Sequence, residues 1–334
     1  MLTEIIKKLN EFISPSGNEK SLLEYVKSEV ESFADECYFD VMGNLVATVG
    51  NGEKVMVAAH ADTIGFICHY IDDKGFIRFQ DLGWENYRII AGRHVRFING
   101  VDGIISYEEK TKDKDSLKCD NCFIDIGATS KEEAEKLVPI GTAASIVPDC
   151  FVSANKKRLT SAFLDDRIAV AILIRAIKEL DKNKLKNKVY FVFTVQEEVG
   201  TRGALPAAYE IEPKYALAID VTDTGDTPEC PKLSLALGQG AAVKIMDCGI
   251  YCHKQMVDFL IDTAEKNKIK FQPEIITAGA TDARAIHTSK NGVYTGAISI
   301  PQRYVHSPVE TVDLDDCENT LRLLTVSLEQ GFNF

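Results

Sequence analysis

The chain has 334 residues, which is long enough for two domains or for one domain with a large insertion. Its 45% hydrophobic and 26% charged residues are ordinary for a globular protein with a full core. The net charge of -12 argues against a nucleic-acid partner, and no apolar run reaches the roughly 18 residues of a membrane span. We therefore expect a soluble protein that binds neither nucleic acid nor membrane.

The number of cysteines indicates in which cellular compartment the protein is expected. Nine are present, an odd number in a long chain whose start has no signal-peptide layout. This pattern predicts reduced thiols and a cytoplasmic location. Cys119 and Cys122 form a CxxC pair, but no second pair follows, so we expect no structural zinc ion there.

The N-terminal region predicts two helices and two strands. An amphipathic helix opens the chain, and a second one covers about residues 19–33 after a turn of Pro, Ser, Gly and Asn. Residues 45–49 and 55–59 have the character of strands, and the glycine-containing stretch between them predicts a tight hairpin. His60 and Asp62 come directly after the second strand.

The pattern changes at about residue 69. Short apolar runs alternate with turn pairs such as Asn-Gly and Asp-Gly, which indicates a small β-rich module. One helix interrupts it, because Ser130 and Glu133 have capping-box spacing. We predict residues 69–161 as a domain inserted into a larger domain formed by residues 1–68 and 162–334.

Buried helices and strands return after the insertion. Asp165 and Asp166 precede a helix over residues 167–180 that is apolar almost all round and should be buried. A strand over 189–195, a short helix and a strand over 215–219 follow, an order that predicts a parallel unit. The fold class is therefore α/β, with a mixed, mostly parallel sheet flanked by helices.

The C-terminal part of the chain continues this alternation. A helix over 253–266 and a short helix after Asp282 precede a strand over 293–300. His306 lies in the loop that follows this strand. An amphipathic helix over 314–330 completes the predicted elements.

Polar residues stand where strands end and where the buried helix begins. In parallel sheets the carboxyl ends of strands are where ligands collect. Singly, each residue has a plain explanation as a turn residue, a helix cap or a packed histidine. Together they form a set of nitrogen and oxygen donors without thiolate, which suits a pair of zinc, cobalt or manganese ions. The set comprises His60, Asp165, Glu197, Glu198, Asp220 and His306.

Six motifs follow one another along the chain. They are VAAHADTIGF at 57–66, FLDDR at 163–167, TVQEEVGTRGA at 194–204, AIDVTDTGD at 218–226, ATDARAIH at 280–287 and ISIPQRYVHSPVETVD at 298–313. They resemble the motifs of the M42 metallo-aminopeptidases, which include the tetrahedral (TET) aminopeptidases and the glutamyl aminopeptidase-like proteins. The resemblance covers nearly the whole chain and implies a zinc-peptidase type of sheet.

The resemblance implies a role for each metal-binding residue. His60 and Asp220 would bind one divalent ion, and Glu198 and His306 would bind the other. Asp165 would bridge the two ions. The cofactor is thus expected to be two ions of zinc or cobalt, with manganese as a further candidate.

Two further roles follow from the same resemblance. Glu197 would be the general base, which takes a proton from water and returns it to the departing amine. Asp62 would orient the ring of His60. Related dinuclear peptidases have a cis peptide bond after the bridging aspartate, so the bond between Asp165 and Asp166 is expected to be cis.

The implied activity is hydrolysis of N-terminal residues from peptides that have a free N-terminus. By the same resemblance, the inserted module is a PDZ-like or barrel-like dimerisation domain. The chain would then form homo-oligomers, from dimers up to dodecamers that enclose the active sites.

Three positions depart from the commonest M42 pattern, and none of them is an expected metal ligand. They are Thr63, Ala162 and Arg284. If Arg284 lines the substrate pocket, it would favour acidic side chains. Within the same motif, Asp282 is predicted to cap a helix and His287 to serve in packing.

Three other functions stay open. A glycoside hydrolase also uses two carboxylates, about 5 to 9.5 Å apart, but it would leave His60 and His306 without a role. Another metal-dependent exopeptidase or a deacylase would accept an N-acetylated peptide. A non-catalytic metal-binding scaffold would not need an acid such as Glu197 outside the ligand set.

Overall fold

The computed structural model describes residues 1–84, 86–111 and 117–334, without the side chain of Arg88. The predicted insertion at 69–161 includes residues 85 and 112–116, which lie outside the described residues. Within the described residues the strands form an 11-stranded mixed sheet and a separate closed barrel. No helix among them combines the length and apolar composition that crossing a membrane requires.

The elements are numbered in chain order. The strands are β1 (Glu36–Phe39), β2 (Leu45–Val49), β3 (Glu53–His60), β4 (Gly65–Ile71), β5 (Ile77–Leu82), β6 (His94–Phe97), β7 (Asp102–Tyr107), β8 (Cys122–Asp125), β9 (Ala143–Ile146), β10 (Cys150–Val152), β11 (Arg158–Ser161), β12 (Asn187–Thr194), β13 (Tyr215–Asp223), β14 (Ala241–Met246), β15 (Phe271–Ile275), β16 (Tyr294–Arg303) and β17 (Glu310–Asp313). The α-helices are α1 (Leu2–Leu9), α2 (Lys20–Val30), α3 (Tyr87–Ile90), α4 (Lys131–Leu137), α5 (Leu164–Glu179), α6 (Ala204–Ile211), α7 (Lys254–Lys266), α8 (Ala283–Ile286) and α9 (Leu314–Gln330).

The centre of the large sheet is parallel. Its main path runs β1-β2-β12-β3-β13-β16-β17-β11-β10, with β14 added beside β16 and β15 beside β14. The four strands β12, β3, β13 and β16 pair in parallel, and their apolar residues are buried. Strands covered on both faces read as continuous apolar runs, as these do. The predicted fold class is confirmed.

The predicted hairpin between β2 and β3 is wrong, because β12 lies between these two strands. β12 pairs with β2 in the antiparallel sense and with β3 in parallel. The turn at residues 50–52 crosses the start of β12, so closely that a Cβ at Gly50 would lie 2.9 Å from the carbonyl oxygen of Asn187. A Cβ at Gly52 would lie 2.8 Å from the carbonyl oxygen of Lys186. The two glycines therefore let the connection from β2 to β3 pass over the start of β12, and they do not form a hairpin turn between neighbouring strands. β12 and β13 are parallel as predicted, with β3 between them.

The second sheet closes into a barrel with the strand order β4-β5-β8-β7-β6-β9. Its interior is filled by aromatic and aliphatic side chains that include Phe66, Phe79 and Phe97. The barrel begins at Gly65, and β10 and β11 from the predicted 69–161 insertion belong to the large sheet instead. β11 is held there by antiparallel pairing with β17, a contact between distant parts of the chain. α4 begins as predicted, with the Ser130 hydroxyl accepting a hydrogen bond from the Glu133 amide.

Helix α5 fills the space behind the sheet. It packs against β3 and β13 and against the helices α1 and α9. Every residue from Leu164 to Ile174 is buried, which confirms that the helix is buried on all sides. Asp165 and Asp166 at its start have non-helical backbone angles and lie in the interior. The helix thus brings two carboxylates to the edge of the sheet.

Candidate metal centre

The predicted ligands meet at the carboxyl edge of the parallel strands. His60 ends β3, and Asp220 lies in β13, which continues beyond it to Asp223. Glu197 and Glu198 follow the end of β12. Because the four strands are parallel, these ends face the same side of the sheet. The start of α5 and the loop after β16 supply the remaining residues.

Asp165 lies between the two histidines. Its Oδ1 is 3.0 Å from Nε2 of His60, and its Oδ2 is 3.3 Å from Nε2 of His306. Nε2 of His306 also lies 3.2 Å from Oε2 of Glu198. Nε2 of His60 lies 3.9 Å from Oδ1 of Asp220. The structure therefore brings all five predicted ligands together and gives each oxygen of Asp165 its own imidazole.

The donor atoms suit divalent cations. Potential ligand atoms of His60, Asp165 and Glu198 all lie within 4.8 Å of one another. The same holds for His60, Asp166 and Asp220, so Asp166 joins a group to which the sequence did not assign it. Oε1 of Glu198 is buried and makes no hydrogen bond with any of the described residues. Such a buried oxygen needs a partner, and a cation among nitrogen and oxygen donors would provide one.

Burial and the neighbouring charges act in opposite directions on the pKa values of this group. It raises the pKa values of Glu197 and Asp220 well above their ordinary values. Burial also opposes ionisation of Asp165, but hydrogen bonds with the two imidazoles bring its pKa below the ordinary value. Burial lowers the pKa of His306, yet the surrounding carboxylates outweigh this effect and raise that pKa to about 12. Carboxylates crowded into a dry site favour positive charge beside them.

Asp62 contacts more than the histidine it was predicted to orient. Nδ1 of His60 lies 3.0 Å from the backbone oxygen of Asp62 and 3.5 Å from its Oδ1. The Asp62 carboxylate also accepts the backbone amides of Glu197 at 2.9 Å and Glu198 at 3.2 Å. It therefore holds the turn that carries both glutamates.

We call the five predicted ligands the metal-ligand group: His60, Asp165, Glu198, Asp220 and His306. The barrel reaches this group through Gly83 and Trp84, which follow β5. The carbonyl oxygen of Trp84 lies 2.9 Å from Nδ1 of His306, so the hydrogen bond leaves Nε2 free to face Asp165. Gly83 has φ 93°, and a Cβ there would lie 2.8 Å from Cγ2 of Ile64. The sequence gives no signal for the contact between Trp84 and His306, because Trp84 makes it through its backbone carbonyl.

Glu310 also contacts this group, and the sequence did not predict a role for it. Its buried carboxylate accepts the backbone amide of Asp165 at 2.9 Å. It lies in the last of the six motifs, which is the signal that could have identified it. The peptide bond between Asp165 and Asp166 is cis, as predicted.

The chain is similar to known proteins over nearly its whole length. Residues 43–323 match the family model described as M42 glutamyl aminopeptidase. The chain belongs to the M42 peptidase family. A protein of Acetivibrio thermocellus named as a candidate aminopeptidase is 44% identical over 326 residues, covering 97% of this chain and 98% of its own length.

Two solved peptidase structures superpose over nearly the full chain. Aminopeptidase APDkam598 of Desulfurococcus kamchatkensis has a TM-score of 0.94 and 38% identity, covering 98% of this chain and 94% of its own. The TET1 peptidase of Pyrococcus horikoshii, which can assemble into a tetrahedron or a large octahedral shell, has a TM-score of 0.87 and 36% identity and covers 98% of each chain. The resemblance predicted from the motifs is confirmed.

A cavity of about 570 Å³ opens over the M42 site. Its wall beyond the metal-ligand group includes Ile276, Thr281, Arg284 and Tyr304. Arg284 is exposed, and no hydrogen bond or ion pair with the described residues holds its side chain. Its guanidinium is therefore available to a molecule bound in the cavity.

Asp282 and His287 are the two other residues of the ATDARAIH motif for which the sequence predicted a structural role. Asp282 is the N-cap residue of α8, as predicted, but its side chain makes no cap hydrogen bond and instead accepts one from the Thr194 hydroxyl. Burial raises the pKa of Asp282 to about 6. His287 stays away from the metal-ligand group, and its Nδ1 lies 3.0 Å from the backbone oxygen of Ala283.

Proposed function

We propose that this M42 aminopeptidase removes the N-terminal residue from peptides with the help of two divalent cations and the carboxylate of Glu197. The observation that carries the proposal is the position of Asp165, whose two oxygens face two histidines from different elements. A carboxylate between two imidazoles has the arrangement of a bridging ligand. His60 and Asp220 would hold one ion, and Glu198 and His306 the other.

The chemistry that such ions supply is polarisation of the scissile carbonyl and a lower pKa for water. Glu197 is outside the proposed ligand set but lines the same cavity. Its role is to accept a proton at its carboxylate and to pass that proton to the departing amine. The hydrogen bond from its amide to Asp62 fixes the backbone from which this side chain extends.

Restoring metals to stripped protein tests this function. Metal-free protein is assayed on a panel of aminoacyl p-nitroanilides, with zinc, cobalt and manganese added back separately. We expect no hydrolysis without metal, restored hydrolysis with at least one ion, and no hydrolysis of N-acetylated substrates. Cleavage of the acetylated substrates would favour a deacylase or another exopeptidase, and inactivity with every ion would favour a scaffold.

The glycoside hydrolase alternative is tested on the same protein. Both histidines lie in the metal-ligand group, whereas glycoside hydrolysis by a carboxylate pair gives them no role. We expect no cleavage of β-glucan with any of the three ions. Glucan cleavage by metal-free protein would overturn the proposed activity.

Arg284 is proposed to favour substrates with an acidic N-terminal residue. Its guanidinium lines the cavity and has no ion-pair partner among the residues that the structure describes. An exposed ion pair is worth up to about 1 kcal/mol, or about fivefold. We expect Arg284→Ala to lower kcat/KM for Glu-p-nitroanilide relative to Leu-p-nitroanilide by about that factor. Arg322→Ala, outside the cavity lining, serves as the control. An unchanged ranking of Glu, Leu and Lys substrates would remove the proposal.

The barrel is proposed to contribute to dimer contacts, and the chain to form homo-oligomers between dimers and dodecamers. The similar TET1 peptidase assembles into shells, and the barrel exposes apolar side chains at Ile98, Ile104, Leu137 and Ile140. An enclosed assembly would admit short peptides. Light scattering at micromolar concentration measures the subunit number. A cytoplasmic location stays a prediction from the cysteine pattern.

A further inference from the structure

Glu19 is a buried acid to which the proposed chemistry gives no role. It directly precedes α2, and only 4% of it is exposed. Burial and the nearby Asp62 carboxylate raise its pKa to about 7. A carboxyl group in such a place is costly unless its oxygens accept hydrogen bonds. The hydrogen bonds that the Glu19 oxygens accept therefore indicate what this side chain does.

Glu19 belongs to a row of side chains that accept four successive backbone amides. The amides are those of residues 195–198, here called the 195–198 turn, which follows β12 and carries both glutamates. No sheet ladder continues through this turn, so each amide needs another acceptor. The bonds are Val195 to Asn44 Oδ1 at 2.9 Å, Gln196 to Glu19 Oε1 at 3.1 Å, Glu197 to Asp62 Oδ1 at 2.9 Å and Glu198 to Asp62 Oδ2 at 3.2 Å.

The backbone at Gln196 needs this support. Its φ of 56° lies in the left-handed region, which a residue other than glycine adopts at a cost of about 1 kcal/mol or more. The bend turns the chain between the end of β12 and Glu197. Without the Glu19 oxygen, the Gln196 amide would lose the acceptor that holds this conformation, and Glu197 would follow the displaced backbone.

Glu19 and Asp62 are joined by the short segment between Ser16 and Glu19. The Gly17 amide donates to the same Oε1 of Glu19 at 2.7 Å, and the Ser16 hydroxyl donates to Oδ2 of Asp62 at 2.6 Å. The Ser16 amide also donates to the carbonyl of Thr63, just after β3. The segment therefore links the acceptor of Gln196 to the acceptor of Glu197 and Glu198.

We propose that Glu19 is a positioning residue for proton transfer. By fixing the Gln196 amide, it sets the direction of the 195–198 turn so that Glu197 faces the reacting groups while Glu198 faces the proposed metal. The inference rests on the proposed function. Positioning requires an acceptor oxygen at the place of Glu19 Oε1, but it does not require the negative charge of Glu19.

Three substitutions separate these requirements. Glu19→Gln keeps the acceptor oxygen, Glu19→Asp keeps the charge but withdraws the oxygen, and Glu19→Leu removes both. We expect Glu19→Gln to stay close to the parent enzyme in kcat. Glu19→Asp and Glu19→Leu should lower kcat by about ten- to a hundredfold at nearly unchanged KM, since small displacements of a reacting group have effects of that size. Glu24→Leu, which lines the same surface pocket as Glu19, is the matched control.

Amide hydrogen exchange gives a readout that does not depend on activity. In metal-free protein, Glu19→Asp and Glu19→Leu should accelerate exchange of the Gln196 and Glu197 amides and leave that of the β13 amides unchanged. The Glu19→Asp variant retains most of the side chain, so the exchange measurement can be made on it if Glu19→Leu does not fold. Unchanged exchange at Gln196 in Glu19→Asp, or a loss of kcat in Glu19→Gln as large as in Glu19→Asp, would overturn the inference. If the parent enzyme cleaves no aminoacyl substrate, the proposed function fails, while the exchange result still decides the structural part.

Discussion

Glu197→Gln should remove most of the turnover and leave the bound metal in place. We expect kcat to fall by about a hundred- to ten-thousandfold, the range for loss of a general acid or base. The structural reason is that Glu197 lines the cavity without being one of the five proposed ligands. Its backbone amide, which donates to Asp62, is unaffected by the substitution. Steady-state kinetics together with metal analysis by plasma mass spectrometry measure both outcomes.

The neighbouring glutamate provides the matched control. Glu198→Gln removes the charge from the carboxylate whose Oε2 lies 3.2 Å from Nε2 of His306, so we expect metal loss as well as activity loss. The two variants differ by one position in the same turn. Equal metal loss in Glu197→Gln and Glu198→Gln would contradict the separate roles of the two residues.

Asp165→Asn should weaken binding at both metal positions. Each Asp165 oxygen faces one histidine, at 3.0 Å for His60 and 3.3 Å for His306, and asparagine keeps only one oxygen and no charge. We expect substoichiometric metal after dialysis and an activity loss of about a thousandfold, in line with the several kcal/mol that metal ions contribute to such reactions.

Titration of each variant with zinc or cobalt distinguishes a bridging ligand from a terminal one. Asp220→Asn should affect one binding step, whereas Asp165→Asn should affect two. Asp223→Asn, which changes an exposed acid of the cavity wall outside the proposed ligand set, should affect neither. If the Asp165→Asn protein binds one ion with the affinity of the parent protein, then Asp165 is a ligand of a single ion and the prediction is contradicted.

Local signals in the chain predicted elements that depend on their own side-chain pattern. α9 covers Leu314–Gln330, the range predicted from its apolar periodicity. α5 is buried because it has no polar face, and its sequence shows this directly. The meeting of the candidate ligands at one edge was also predictable, because acids and histidines that follow several parallel strands come together at the carboxyl ends of those strands.

Contacts between distant segments were not predictable in the same way. The stretch between β2 and β3 has the composition of a hairpin, but β12, far along the chain, pairs with both strands and separates them. Likewise, the sequence of β11 resembles the short strands of the inserted module, but its pairing with β17 places β11 in the large sheet. Strand order depends on tertiary pairing, and a local pattern contains no record of it.

The sequence by itself determined the fold class, the M42 resemblance and the choice of candidate metal ligands, because those depend on residue types at positions along one chain. Only the tertiary structure decided which groups hold those residues in place. Glu19, Glu310 and the Trp84 carbonyl act through backbone amides or through a backbone oxygen. Every residue has such backbone groups, so their pairing appears only when the chain is folded.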